Sequence, residues 1–156
     1  MKKIILLGVL LFTAKANFGQ AIGFDELVKM LKMTEYDQSQ YLSNKGWNQR
    51  AEQPADTLIF DHTGNDTTVS NAYCYIVSVQ HDYSGPTVTI GLHFTTRTVY
   101  DQYISKIHAM QMHTAKSETK GNISTTEYGN KDYSATVKKI RTDYKHNDYF
   151  VDVTRK

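Results

Sequence analysis

The chain has one cysteine, Cys74, so no disulfide can form within it and stability is left to a packed core. It contains no H-E-x-x-H, C-x-x-C, G-x-S-x-G, G-x-x-x-x-G-K-[ST] or G-x-G-x-x-G. The local signatures of zinc peptidases, redox dithiols, α/β-hydrolases, P-loop NTPases and dinucleotide-binding domains are therefore missing. Six histidines are scattered without the spacing of a metal-ligand set. The one long apolar run, Ile4–Phe12, is too short to span a bilayer, which takes about 20 residues. A basic excess is lacking as well. The chain holds 18 Lys and Arg against 16 Asp and Glu, and residues 1–20 contribute Lys2, Lys3 and Lys15 with no acid, leaving 15 against 16, a net −1. That excludes a nucleic-acid binder founded on charge.

What is present begins with a leader. Met1-Lys2-Lys3, the apolar Ile4–Phe12 and the small-residue exit Ala16–Ala21 follow the order of a secretory signal. Residues 1–20 are expected to be a signal peptide, cut between Gly19 and Ile22, and residues 21–156 a single domain, periplasmic or secreted. No cysteine lies near the exit, which excludes lipid attachment to an N-terminal cysteine. About 136 residues remain, enough to bury roughly two-thirds of the unfolded surface. No later segment is apolar enough to cross a membrane, so a soluble product is expected. Residues 21–96 hold 4 bases and 9 acids (−5) and residues 97–156 hold 11 and 7 (+4). Such a split marks either a charged binding face or two halves that attract each other.

Residues 72–96, AYCYIVSVQHDYSGPTVTIGLHFTT, are the densest apolar segment after the leader and read as a β-hairpin turning at Tyr83–Pro86. Side chains alternate faces along a strand, so register decides which set is buried. Setting Tyr73, Tyr75, Val77 and Val79 opposite Thr96, Phe94, Leu92 and Ile90 makes one face nearly all apolar. The second face then carries Cys74, Ile76, Ser78 and Gln80 with Thr95, His93, Gly91 and Thr89, and is rich in hydroxyls.

Phe24, Leu27, Val28 and Leu31 share a helical face, with Asp25 and Glu26 in the first turn. Thr34 followed by Asp37 marks a second helix start, running to Lys45 and stopping at Gly46. Trp47 follows at once, as a plug of the helix–sheet junction or as a ligand platform. Strands are expected at Asn48–Gln53 and Thr57–Asp61, then a polar loop over His62–Asn71. Thr98–Met112 is the clearest helix. Its stripe of Val99, Tyr100, Tyr103, Ile104, Ile107 and Met110 is suited to cover the apolar face of the hairpin. The remainder reads as a meander of Ile123–Tyr128, Tyr133–Tyr144 and Tyr149–Thr154. A bulge near Lys138-Lys139 would return Ile140 and Tyr144 to the inward face of Tyr133, Ala135 and Val137, and the register of the last turn sets Ile140, Thr142 and Tyr144 opposite Val153, Val151 and Tyr149.

The expected fold class is α+β: an antiparallel sheet with helices packed on one face. The order helix, strands, helix, strands allows two tandem helix-plus-sheet units, whose helices open with Tyr36-Asp37-Gln38 and Tyr100-Asp101-Gln102. In layout this resembles the tandem units of secreted β-lactamase inhibitory proteins. No motif of that family is present, and a fold does not fix a function.

Candidate sites are few. Cys74 and His93 share a face in the register above, as diagonal neighbours ~7–8 Å apart, and would be a nucleophile and its base. No orienting carboxylate accompanies them, and a buried free cysteine behaves as a small hydrophobe. Asp61, Asn65 and Asp66 around Gly64 offer oxygens to calcium but miss the alternate spacing of an EF-hand. His108 and His113 would diverge around a helix. No cofactor is implied. Trp47, Tyr83, Ser78 and Thr95 are the candidate binding residues. With 11 tyrosines, most of them expected to pack the core, the chain reads as an exported, non-catalytic binding or inhibitor-like domain. Its partner would be a protein or glycan in the envelope or outside the cell. The alternative is a small secreted or periplasmic hydrolase with a Cys/His or carboxylate site, which needs a cleft of converging ionisable groups. A membrane-associated accessory protein would need an exposed apolar patch.

Overall fold

The computed structural model describes residues 22–62, 72–79, 86–143 and 146–156. Helix α1 (Phe24–Met30) begins where the Glu26 carboxylate accepts from the Gly23 N–H at 2.7 Å. Helix α2 (Glu35–Asn44) is capped by Thr34, whose Oγ1 accepts from the Asp37 N–H at 3.2 Å, and the chain leaves it through Gly46 at φ 81°. Two contacts tie the helices together. Buried Gln38 donates its Nε2 to the Met30 carbonyl at 2.9 Å, and Tyr41 and Lys45 both donate to Glu26. Helix α3 (Arg97–Ala109) starts a residue before the expected position. Its N-cap is Thr96, and Asp101 is taken up by an ion pair with Arg97 one turn earlier.

Among the described residues eight strands make one antiparallel sheet: β1 (Trp47–Gln49), β2 (Thr57–His62), β3 (Tyr73–Val79), β4 (Thr87–Phe94), β5 (His113–Lys120), β6 (Ile123–Gly129), β7 (Tyr133–Arg141) and β8 (Asn147–Arg155). Their order across the sheet is β1-β2-β3-β4-β8-β7-β6-β5, two meanders joined through their last strands. The fold is thus mixed but dominated by the sheet. Buried apolar side chains share one parity: Phe60, Cys74, Leu92, Val151 and Val137 lie in one row, with Ile76, Ile90, Val153 and Ala135 in the next. Each large aliphatic side chain removed from water in this way contributes about 1.5–3 kcal/mol. Rings bring α3 against this face. Tyr103 stacks on Phe94 at 5.3 Å between centroids and Tyr100 meets Tyr149 at 4.7 Å, while Phe24 of α1 meets Tyr103 edge-on at 5.9 Å.

The hairpin register differs from the sequence expectation. Tyr73 pairs with His93, Cys74 with Leu92, Tyr75 with Gly91 and Ile76 with Ile90. The faces of β4 fall as expected, but those of β3 are exchanged, so Cys74 and Ile76 go into the core and Tyr73 and Tyr75 onto the opposite face. Gly91 supplies the reason, because a β-carbon there would overlap the Tyr75 ring and the Asp152 carboxylate. The expected turn falls mostly on residues 80–85, outside the described residues. In the second meander β7 pairs without a break to both neighbours, and no bulge occurs at Lys138-Lys139. Val137 is the residue opposite Val151, and Ile140 lies opposite Asp148 on the non-core face. Tyr144 lies outside the described residues. The register shift is instead in β5, between Thr114 and Lys116, and β5 is itself a strand that no hydrophobic alternation marks.

Candidate functional site

On the face away from the core, one row of directly opposed residues crosses five strands: Asp61, Tyr73, His93, Phe150 and Lys138. Tyr73 stacks on His93 with centroids 4.7 Å apart, and His93 meets Phe150 at 4.7 Å. Cations close both ends. Arg50 lies 5.6 Å from the Tyr73 ring and is fixed by a bidentate pair with Asp61 at 2.6 and 2.7 Å, while the Lys138 Nζ stands 5.8 Å from the Phe150 ring. The His93 Nε2 is 3.4 Å from Asp148 Oδ1. Burial raises the Tyr73 phenol above its ordinary range, countered in part by Arg50. Tyr73 and Phe150 are half-buried, and His93 between them is buried.

The next row holds Tyr75, Gly91, Asp152 and Thr136. The missing side chain of Gly91 leaves a trough, across which the Tyr75 hydroxyl donates to Asp152. Burial lifts the Asp152 carboxyl above the usual carboxylate range, opposed by the Tyr75 hydrogen bond and the Lys138 charge. The same burial, with the neighbouring carboxylate, drives the Tyr75 phenol far up. Beyond it Thr89 and Thr154 share a hydroxyl contact at 2.7 Å. The face thus offers aromatic edges, hydroxyls and charges of both signs, held on strands whose backbone is fixed by pairing on both sides.

The residues singled out from sequence scatter. Cys74 is fully buried on the core side, its thiol pushed well up by that burial, whereas His93 projects from the other face. They form no nucleophile–base pair. Trp47 is buried, edge-on to His62 at 5.1 Å, and its indole N–H meets no acceptor among the described residues; it plugs the interior. Ser78 lies half-buried opposite Val88 on the core-side parity, and Thr95 is exposed in the β4–α3 connection. Tyr83, Asn65 and Asp66 lie outside the described residues, and Asp61 is engaged by Arg50. His62 is covered by Trp47, so Asp61, His62, His93 and Cys74 do not gather in one pocket. Among the described residues no three His, Cys, Asp or Glu side chains converge as a metal set. No described helix is long and apolar enough to cross a membrane, and the large exposed apolar side chains Tyr36, Val79 and Ile123 stand on separate elements.

Comparison with family models, curated proteins and solved structures finds no match, and the likeness to β-lactamase inhibitory proteins stays one of element order. Sequence reasoning passed over Arg50, Tyr73, Tyr75, Lys138, Phe150 and Asp152. The signal that could have found them is Gly91, since a glycine inside a strand marks a close approach from a neighbour.

Proposed function

We propose that the protein is an exported, non-catalytic binding domain whose uncovered sheet face receives a protein partner in the envelope or outside the cell. Residues 1–20 are its leader and residues 21–156 its single domain, with the helices lying over the opposite face. The observation that carries this proposal is the row Arg50–Tyr73–His93–Phe150–Lys138, capped by cations, with half-exposed Tyr73 and Phe150 on either side of buried His93. Aromatic and arginine side chains on a rigid support are what protein interfaces concentrate, since they provide contact area with little loss of rotamer freedom.

The two halves are tandem units in this view. A displacement of 61 residues carries Cys74 and Ile76 onto Ala135 and Val137, and Ile90 and Leu92 onto Val151 and Val153, with matching burial. The axis relating them passes through the Gly91–Asp152 pair, so the row lies beside the seam and draws on both units.

The test is a pull-down from envelope and culture fluid with the leaderless protein as bait, beside Tyr73→Ala, Phe150→Ala and, as a control, the exposed Glu52→Ala. A partner retained by the parent and by Glu52→Ala, and lost by both ring variants, supports the assignment. Equal recovery by all four baits places binding elsewhere.

A further inference from the structure

The second meander sorts its charges by face. On the side away from the core Lys116 stands opposite Glu127, and Glu118 is bridged by Lys116 at 3.3 Å and by Lys120 at 3.5 Å. On the helix side the rows Ser117–Thr126–Val137 and Thr119–Ser124–Lys139 hold no acid, and Arg141 follows two residues after Lys139 on the same face. The cations of β5 are thus neutralised within the chain, whereas Lys139 and Arg141 take part in no ion pair among the described residues. Together with Thr119, Gly121, Asn122 and Ser124 they line a recess of about 220 Å³ beside the β5–β6 turn. That is below the roughly 300–1,000 Å³ of a site for a drug-sized ligand, and suits a small ion or one group of a larger molecule.

Backbone bonds hold the walls of this recess. Lys120 pairs with Ile123 across the two-residue turn Gly121-Asn122, where Gly121 takes φ 60° at the first turn position. Asn122 ties the turn to β7, its Nδ2 donating to the Arg141 carbonyl at 2.9 Å and its carbonyl accepting from the Arg141 N–H at 2.9 Å. The Thr119 and Ser124 hydroxyls stand 3.1 Å apart, so one donates to the other and the second keeps its own proton to give to a ligand. Two cations and a hydroxyl donor make three groups that seek acceptor oxygens. A carboxylate has two oxygens to offer them, and a phosphate or sulfate group has three or more. We infer that this recess is a binding site for a phosphate or sulfate group, held by Arg141, Lys139 and the hydroxyl of Thr119 or Ser124. It lies on the opposite side of the sheet from the aromatic row, and neither depends on the other.

Amide chemical shifts of the purified protein test it, at constant ionic strength, with inorganic phosphate, inorganic sulfate, glucose 6-phosphate and, as the uncharged probe, glucose. The Gly121, Asn122 and Arg141 signals should move saturably with a Kd on the order of 1 mM, as two charge-assisted hydrogen bonds would give, and glucose should move none of them. Arg141→Gln and Lys139→Gln should each weaken phosphate binding about tenfold. Ser124→Asp should abolish it by giving both cations a carboxylate of the chain's own. Lys116→Gln, which removes a cation from the other face, should change the Kd by less than about twofold. Equal affinity for inorganic phosphate and glucose 6-phosphate assigns the site to the free ion, and tighter binding of the sugar phosphate assigns it to an ester; either outcome supports the site. The substituted positions are exposed or half-buried, and an unchanged thermal midpoint shows that the variants are folded. Absence of saturable shifts with all three anions overturns the inference, as does binding that Arg141→Gln and Lys139→Gln leave unchanged or that Lys116→Gln weakens as much.

Discussion

Replacing Gly91 by alanine adds a single methyl group, and its effect follows from the trough over that residue. The new β-carbon overlaps the Tyr75 ring and Asp152 Oδ1, both flexible side-chain ends on the non-core face, so the ring swings out rather than the backbone deforming. The swing gives up the hydroxyl–carboxylate hydrogen bond, about 1.5–2 kcal/mol for a bond to a charged group. It also exposes about half a ring, roughly another 1 kcal/mol. Against this, alanine restricts the unfolded chain and recovers about 0.5–1 kcal/mol. The net loss is about 2 kcal/mol, which at a urea slope of about 2 kcal/mol per molar is a shift of about 1 M in the midpoint. The assay is urea unfolding followed by the fluorescence of buried Trp47. The decisive comparison is a double-mutant cycle with Tyr75→Ala: once the ring is gone, Gly91→Ala should cost almost nothing or stabilise slightly. A Gly91→Ala penalty of equal size in both backgrounds would refute the trough as its cause.

Three further outcomes follow from the same physics. Burial raises the Glu26 carboxyl, but hydrogen bonds from Lys45, Tyr41 and the Gly23 N–H outweigh it and leave it below the usual range. Its contribution is therefore present above the unfolded value of about 4.3 and fades as pH falls through the folded one. Glu26→Gln should cost about 1 kcal/mol at neutral pH, discounted for its partial exposure, and urea midpoints should converge with the parent in acid. Asp152 is shifted the other way by burial, so its ionisation costs stability as pH rises from about 3.9 through the folded value. Asp152→Asn should gain on the parent across that window and level off above it, and a difference flat with pH would count against the buried-carboxylate assignment. Since the Trp47 indole N–H meets no acceptor among the described residues, Trp47→Phe should cost under about 1.5 kcal/mol. Trp47→Ala opens a large cavity and should cost about 3–5 kcal/mol by thermal or urea unfolding.

Local features were legible because local chemistry sets them. Thr34 and Gly46 bound α2 as a cap and a stop do anywhere, and the stripe through Val99, Tyr103 and Ile107 turned toward the sheet as its spacing requires. Strand β5 was invisible because HTAKSETK has no buried face, so the period that reveals a strand is absent from it. The face of β3 was misassigned because both of its parities are apolar. Tyr73, Tyr75, Val77 and Val79 outnumber Cys74 and Ile76, yet the smaller pair is buried beside Leu92 and Ile90. Counting apolar side chains cannot separate two such sets. The backbone can, since the Tyr75 ring lies where a side chain on Gly91 would stand, and that puts Tyr75 and with it Tyr73 on the face away from the core.

Extending that constraint explains why the candidate face could not be assembled from any segment of the sequence. Arg50, Tyr73, His93, Lys138 and Phe150 span both meanders, and no periodicity within either one relates them. They become neighbours through β4 pairing with β8, the step at which the two meanders join. Gly91 and Asp152 lie opposite each other in that pairing, and Tyr75 bridges them from the first meander. The glycine therefore fixes the register on both of its sides: toward β3 by needing an aromatic ring over it, and toward β8 by placing the carboxylate that ring must reach. Shifting either register by the two residues that preserve its faces leaves Tyr75 without its trough or Asp152 without its donor. The residue that a count of apolar side chains overlooks thus holds the aromatic row in line across the seam.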